Sequence, residues 1–235
     1  MYMNAANAYS IRNMAPIGGR GCFNLFVVAL IASLLVCFEP PSQKTRAHAG
    51  DATDRTGGYS SVFGYGRQSI GISAGHGFGV NVGGTKTPEL GDLQFAYVGP
   101  RWGVGISNPL GGSSWYRGNF ELLLEGTFIY YFEPKSGIAG GITPMIRYNF
   151  LTGSRFIPFL QAGVGILALD ADLIGQSDGL SFAPQGGLGF HYFVSQSTAL
   201  TLEGSFHHVS NAGLLDRNAG INSSVVLVGL TFFFR

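Results

Sequence analysis

Beyond its first forty residues this chain nowhere holds the roughly twenty consecutive apolar residues that a membrane-crossing helix needs, yet only 11% of its residues are charged. A soluble domain carries about 25%. Apolar residues make up 46%, with 37 glycines and 19 phenylalanines. So little charge at ordinary hydrophobicity leaves much of the surface apolar. A β-barrel in a membrane resolves this, because its lipid-facing and lumen-facing residues alternate along every strand. The formal net charge of +1 and the absence of a basic patch argue against a nucleic-acid binder.

Eight segments carry that pattern: Ser69–Phe78, Leu93–Ile106, Asn119–Phe132, Ile138–Phe150, Phe156–Leu169, Leu180–Phe193, Thr198–Val209 and Ser223–Phe234. Clusters of Gly, Pro, Asn and Ser separate them, as turns require. In the third, Glu121, Glu125 and Thr127 oppose Phe120, Leu122, Leu124 and Phe128; in the fourth, Thr143, Arg147 and Asn149 oppose Ile142, Ile146 and Tyr148. The fold class expected is all-β, an eight-stranded antiparallel up-and-down transmembrane barrel. Alternation alone fits a soluble, lipocalin-like carrier with the apolar face inside. The low charge, aromatic residues near strand ends and the export signal favour the membrane form. Glu121, Glu125, Arg147 and Glu203 are then expected to form an ion-pair network filling a lumen that, at eight strands, holds side chains and little else. "VGPRWG", Val98–Gly103, predicts a bulge, since proline cannot donate to a ladder. The closing "LVGLTFFFR" resembles the assembly signal of bacterial outer-membrane proteins, with Phe234 penultimate rather than last.

Residues 1–49 are expected to be a cleaved signal peptide, with a retained signal anchor as the other reading. Arg12 and Arg20 precede the apolar run Cys22–Phe38, and "AHA", Ala47–Ala49, places small residues where a peptidase cuts. Met14 is an alternative start. Val36 before Cys37 is too large for the usual lipidation site. Both cysteines leave with this segment, which excludes disulfides and thiol catalysis in the remainder. Residues 50–67, rich in Gly and Ser, are expected to be a flexible periplasmic lead-in, and residues 68–235 the barrel.

"FHHVSNAGLLDRNAGIN", Phe206–Asn222, concentrates reactive groups between the last two strands. Parity puts His208 and Ser210 on the face of Leu200, Leu202 and Phe206, the lipid face, and His207 on the lumen face with Glu203. Ionisable groups on a lipid face cost stability. Residues two apart on a strand point the same way, so imidazole can take the proton that makes a serine hydroxyl nucleophilic. The "NAG" turn and Asn218 offer N–H donors to an oxyanion. His-x-Ser by itself is a weak signal, and interfacial polarity stays open as its other reading.

"HVSNAGL", His208–Leu214, followed by "NAGIN", Asn218–Asn222, resembles the signature of the lipid A 3-O-deacylase (PagL-type) family of outer-membrane barrels. The resemblance is strong over about fifteen residues and loose elsewhere. It implies a serine esterase that removes the 3-position acyl chain from lipid A, with His208 at the base position and Ser210 at the nucleophile position. Asn211, Gly213 and Asn218 fall at turn and oxyanion-supporting positions. The family's pattern has a glutamate where this chain has Asn222, whose amide oxygen can orient the histidine without stabilising an imidazolium. Asp216 is the alternative acid. The other class of function is a non-enzymatic eight-stranded barrel, an adhesin or envelope-structural protein.

No cofactor or metal is expected: His76 and His191 have no metal-ligand spacing, His48 leaves with the signal, and the loops hold no acidic cluster for calcium. "GHGFGVNVGG", Gly75–Gly84, lacks the following helix of a phosphate loop. The expected location is the bacterial outer membrane. The expected partners are lipid A or lipopolysaccharide of the outer leaflet and the membrane itself, with a homodimer as the candidate oligomer.

Overall fold

A computed structural model describes residues 58–81, 92–170 and 176–234; the expected signal peptide lies outside them. Eight strands follow in order: β1 Gln68–Gly79, β2 Gln94–Gly105, β3 Gly118–Glu133, β4 Gly137–Phe150, β5 Phe156–Asp170, β6 Gly179–Phe193, β7 Thr198–Val209 and β8 Ile221–Phe234. Each pairs antiparallel with its sequence neighbours, and β1 pairs with β8 to close the barrel. The segments expected from alternation are these strands to within two residues. The largest gain is at β8, which begins at Ile221 and draws Asn222 into the sheet.

The faces are those of a membrane barrel. Along β3 every second residue from Asn119 to Tyr131 is buried, while Leu122, Leu124, Phe128 and Tyr130 are exposed. Glu125 is 0% exposed and Phe128 58%. A soluble barrel would reverse these two. Exposed Ile70, Ile72, Ile142, Ile146, Leu160, Ile166 and Leu188 continue the apolar surface around the wall.

The interior has three layers rather than one polar filling. In the middle, Arg101 on β2 donates from Nε to Glu125, and from its two terminal nitrogens to Glu203 at 2.6 and 3.1 Å. Arg147 donates to Gln161 Oε1 at 3.0 and 2.7 Å and lies 3.8 Å from Glu121. Gln161 Nε2 joins the two halves through Glu203 at 2.7 Å. The expected quartet of charges is thus assembled, with Arg101 as its unforeseen centre. Toward the end where the strands β7 and β8 meet at their hairpin, the far end, Tyr97, Tyr131, Leu167, Leu169 and Leu227 form an apolar layer. At the end carrying the first and last strand residues, the terminal end, Ile157, Phe193, Ala199 and Phe233 form another.

Two expectations are corrected. No bulge interrupts Val98–Gly103: the β1–β2 register is unbroken, and the β2–β3 ladder lapses over Gly99 and Pro100, then resumes in the same register. The ladder loses two successive pairings there without shifting the faces. The glycines serve space instead. A Cβ at Gly99 would stand 2.7 Å from Glu125 Oε2, and one at Gly103 would stand 2.3 Å from Glu121 Oε1. Leaving out these side chains on either side of Arg101 lets the carboxylates reach in. The bulge lies elsewhere, at Phe132, which the register skips between Phe95↔Tyr131 and Gln94↔Glu133.

The second correction concerns the lead-in. Residues 58–67 are not loose. A 3-10 turn, Ser60–Val62, presents Phe63, which packs on Phe193 and Phe233 with centroids 6.0 and 5.1 Å away, and Tyr59 packs on Phe193 at 5.3 Å. Aromatic burial of this kind outweighs the entropy of a short Gly- and Ser-containing segment. The segment caps the terminal end of the lumen.

Arg101→Met should be strongly destabilising. It leaves Glu125 and Glu203 buried without their cation, at a cost of about 3–5 kcal/mol. Urea unfolding in detergent, followed by heat-modifiable gel mobility, measures it. An unchanged midpoint would show that the network does not hold the barrel.

Candidate active site

The two-residue period of β7 sets the site. His208 and Ser210 point outward and are partly buried, while His207 points inward and is 4% exposed. The antiparallel register pairs His208 directly with Asn222 across the β7–β8 ladder. Side chains of a cross-strand pair stand close enough to touch. Here His208 Nδ1 lies 2.7 Å from Asn222 Oδ1. An amide oxygen only accepts, so Nδ1 carries the proton of this contact, and in the neutral ring the lone pair is on Nε2. That is the tautomer a general base needs.

Ser210 continues past the end of β7 and forms an isolated bridge to Phe182 of β6. Its N–H donates to Phe182 O at 3.0 Å, and its carbonyl accepts from Phe182 N at 2.7 Å. The backbone is pinned to β6 by both its N–H and its carbonyl, and the hydroxyl stands on the outer wall. No side-chain hydrogen bond joins Ser210 to His208 among the described residues. Such contacts commonly tighten only around a substrate.

Beyond Ser210 the chain turns tightly. Ala212 and Gly213 both have positive φ, 53° and 76°. Asn211 is fully buried and braces the turn: its Nδ2 donates to Arg217 O at 2.8 Å, and its Oδ1 accepts from Gly213 N at 2.9 Å. Asn218 Oδ1 accepts from Asn211 N at 2.9 Å. The amides of Asn211 and Gly213 are therefore committed to the loop. Asn218 Nδ2 and the Ala212 N–H make no hydrogen bond to the described residues. A second loop supports the first: Gln176 bridges to Asn218, Ser177 N donates to Arg217 O and Arg217 N to Ser177 Oγ, both at 3.0 Å. Asp216 lies in the exposed part of the loop.

Gly220 is the residue that sequence reasoning misses. Its φ is 70°, and a Cβ there would fall 2.9 Å from His208 Cε1. The imidazole lies in the space that the missing side chain leaves. A glycine immediately before a strand is an ordinary turn signal, and only the cross-strand register shows what it faces.

Inside the lumen a second Ser–His pair exists, Ser205 Oγ at 2.9 Å from His207 Nε2. Both residues are buried, with Tyr97 edge-on to the His207 ring at 5.7 Å. An enclosed pair cannot meet a lipid ester. His191 is likewise interior, beside Thr201 at 2.9 Å and Arg147 at 3.2 Å.

The chain is similar to known proteins. The model of a protein family described as lipid A 3-O-deacylase (PagL) matches residues 92–231. The crystal structure of the outer membrane enzyme PagL is 20% identical, with 68% of this chain and 97% of that chain covered and a TM-score of 0.44. Neisserial surface protein A is 17% identical, with coverage of 72% and 99% and a TM-score of 0.49. OprG from Pseudomonas aeruginosa is 14% identical, with coverage of 74% and 98% and a TM-score of 0.42. No curated protein matches the chain.

Gly220→Ala should displace the His208 ring and impose about 1–2 kcal/mol of left-handed backbone strain. The His208 Nδ1–H signal, held by Asn222, should be lost from the imidazole NMR spectrum while the barrel still folds. Retention of that signal would show that the seat tolerates a methyl group.

Proposed function

The chain belongs to the lipid A 3-O-deacylase family of outer-membrane barrels, and from that premise we propose that it is a serine esterase cleaving the ester-linked 3-position acyl chain of lipid A, with Ser210 as nucleophile and His208 as base. It is a lipid A deacylase of the outer membrane by family. The finer reading rests on one observation above the others, the 2.7 Å contact that orients His208 through Asn222 on the outward face. A lipid ester can reach that face only from the membrane.

The chemistry follows from the tautomer. With Nδ1–H held by Asn222, His208 Nε2 removes the Ser210 proton as Oγ attacks the ester carbonyl. Asn218 Nδ2 and the Ala212 N–H, not taken up by hydrogen bonds to the described residues, would be the donors to the oxyanion. The intermediate collapses, the sugar oxygen leaves with the proton from Nε2, and the acyl group stays on Ser210. Water, deprotonated by the same nitrogen, then releases the fatty acid and restores the serine.

Asn222 sets the limit. Its oxygen fixes the ring as a carboxylate would, but a neutral acceptor stabilises the imidazolium less, since charge-assisted hydrogen bonds are about twice as strong. This favours a slow enzyme. It also keeps a second reading in view, a barrel retaining the loop without turnover. The signal peptide and an outward-facing far end complete the proposal: an even strand count puts both chain ends on the periplasmic side.

Ser210→Ala and His208→Ala should each lower deacylation of purified lipid A by at least about a thousandfold, with folding intact. His207→Ala should be mild. Sensitivity at His207 but not His208 would assign the chemistry to the wrong face. Asn222→Glu should raise the rate about five- to thirtyfold, a transition-state gain of about 1–2 kcal/mol, and Asn222→Ala should lower it. Equal rates in all three forms would remove Asn222 from the mechanism, and no rate in any would favour the non-enzymatic barrel. A tag at Asp216 should label on intact cells; labelling only after permeabilisation would invert the topology.

A further inference from the structure

A second polar group stands on the outer wall, and the deacylase chemistry does not use it. His76 of β1 is hydrogen-bonded to Gln94 of β2. Phe132 of β3 stacks on the imidazole, with centroids 5.8 Å apart and planes at 30°. All three are half-buried on the outward face, amid exposed Phe78, Val98, Phe128 and Tyr130. Phe132 is the residue the β2–β3 register skips. Bulges recur where a side chain must be re-aimed, and this one turns an aromatic ring onto His76 instead of continuing the ladder.

Placement argues against a purely structural pair. Polar side chains on a lipid-facing wall cost stability, and the sequence could fill both positions with the aliphatic residues found around them. The polar positions also connect to the site. Ser224 stands two residues from Asn222 on the same face of β8, and Ser224, Phe78 and Gln94 share one rung across β8, β1 and β2. Counting strand spacings and rises, His76 and Gln94 each lie about 16 Å from His208 along the sheet. An imidazole and a carboxamide each offer donors and acceptors without a fixed charge. That chemistry suits hydroxyl and amide groups; a phosphate would call for Arg or Lys.

We propose that His76 and Gln94, with Phe132 holding the imidazole in place, bind the hydroxyl- and amide-bearing sugar headgroup of a glycolipid. This rests on the deacylase reading for the identity of the lipid. The headgroup belongs either to the distal part of the lipid A molecule whose ester lies at Ser210, or to a neighbouring molecule of the leaflet. Ser224 continues the polar path between the two positions.

The test uses the full barrel in detergent with both residues replaced, His76→Leu and Gln94→Leu. Leucine suits a lipid-facing wall, and heat-modifiable mobility checks the fold. Binding of purified lipid A is read by native mass spectrometry in a Ser210→Ala background, so that turnover does not interfere. Affinity at the proposed site should fall about ten- to thirtyfold, the worth of one or two hydrogen bonds. If one lipid spans both sites, KM for disaccharide lipid A rises by that factor with kcat unchanged, and KM for a monosaccharide acylglucosamine does not move. If a neighbouring molecule is held, the barrel loses one bound lipid and KM stays constant. Unchanged affinity, stoichiometry and KM would overturn the proposal. Absence of hydrolysis by the unsubstituted protein would sink the deacylase reading, while the binding measurement would still decide this one.

Discussion

Closure between β1 and β8 is the constraint on which the rest of this protein depends. In hydrocarbon no water satisfies a loose N–H or C=O, so a sheet survives there only without edges. Once the sheet closes at eight strands, the interior must be filled by side chains, and the two-residue period divides every strand into a filling face and a lipid face. Pro100 shows how firmly the ladder holds: the pairings of Gly99 and Pro100 lapse, and the register continues.

Filling the interior is the harder half. Polar residues that alternate inward need partners, because an unpaired charge in a narrow lumen is costly. Arg101 and Arg147 meet Glu121, Glu125, Glu203 and Gln161 in one connected layer. Gly99 and Gly103 give that layer its room. Apolar layers above and below exclude water from it, and the segment around Phe63 caps the terminal end. The same rigidity supports the rim, where β7 and β8 must hold His208 and Asn222 in register.

The site is therefore a product of ladder geometry more than of the loop. The ladder aligns His208 with Asn222, the Phe182 bridge pins the backbone of Ser210, and Asn211 braces the loop that follows. Gly220 connects the two, since it begins the return into β8 and makes the seat for the imidazole. On the proposed reading, chemistry on the outer wall accounts for polar groups standing there, since a lipid substrate would arrive through the lipid phase. The Ser205–His207 pair has the better hydrogen bond and the wrong address.

Side-chain period, turn composition and the position of polar residues in each strand were legible in the sequence, because they are local properties of a chain that alternates. They sufficed for the strand count, for the inside-out faces and for His208, Ser210 and Asn222 sharing the outer wall. Relations between strands were not legible. Which glycine faces which carboxylate, whether Pro100 shifts the register, where the bulge falls and that Phe63 caps the lumen all depend on residues far apart in sequence meeting at distances set by the closed sheet. Arg101, Gly220 and the His76–Gln94–Phe132 group belong to that second set. Alternation assigns each residue a side, but only the register of the closed barrel assigns it a neighbour, and the chemistry of this wall is made between neighbours.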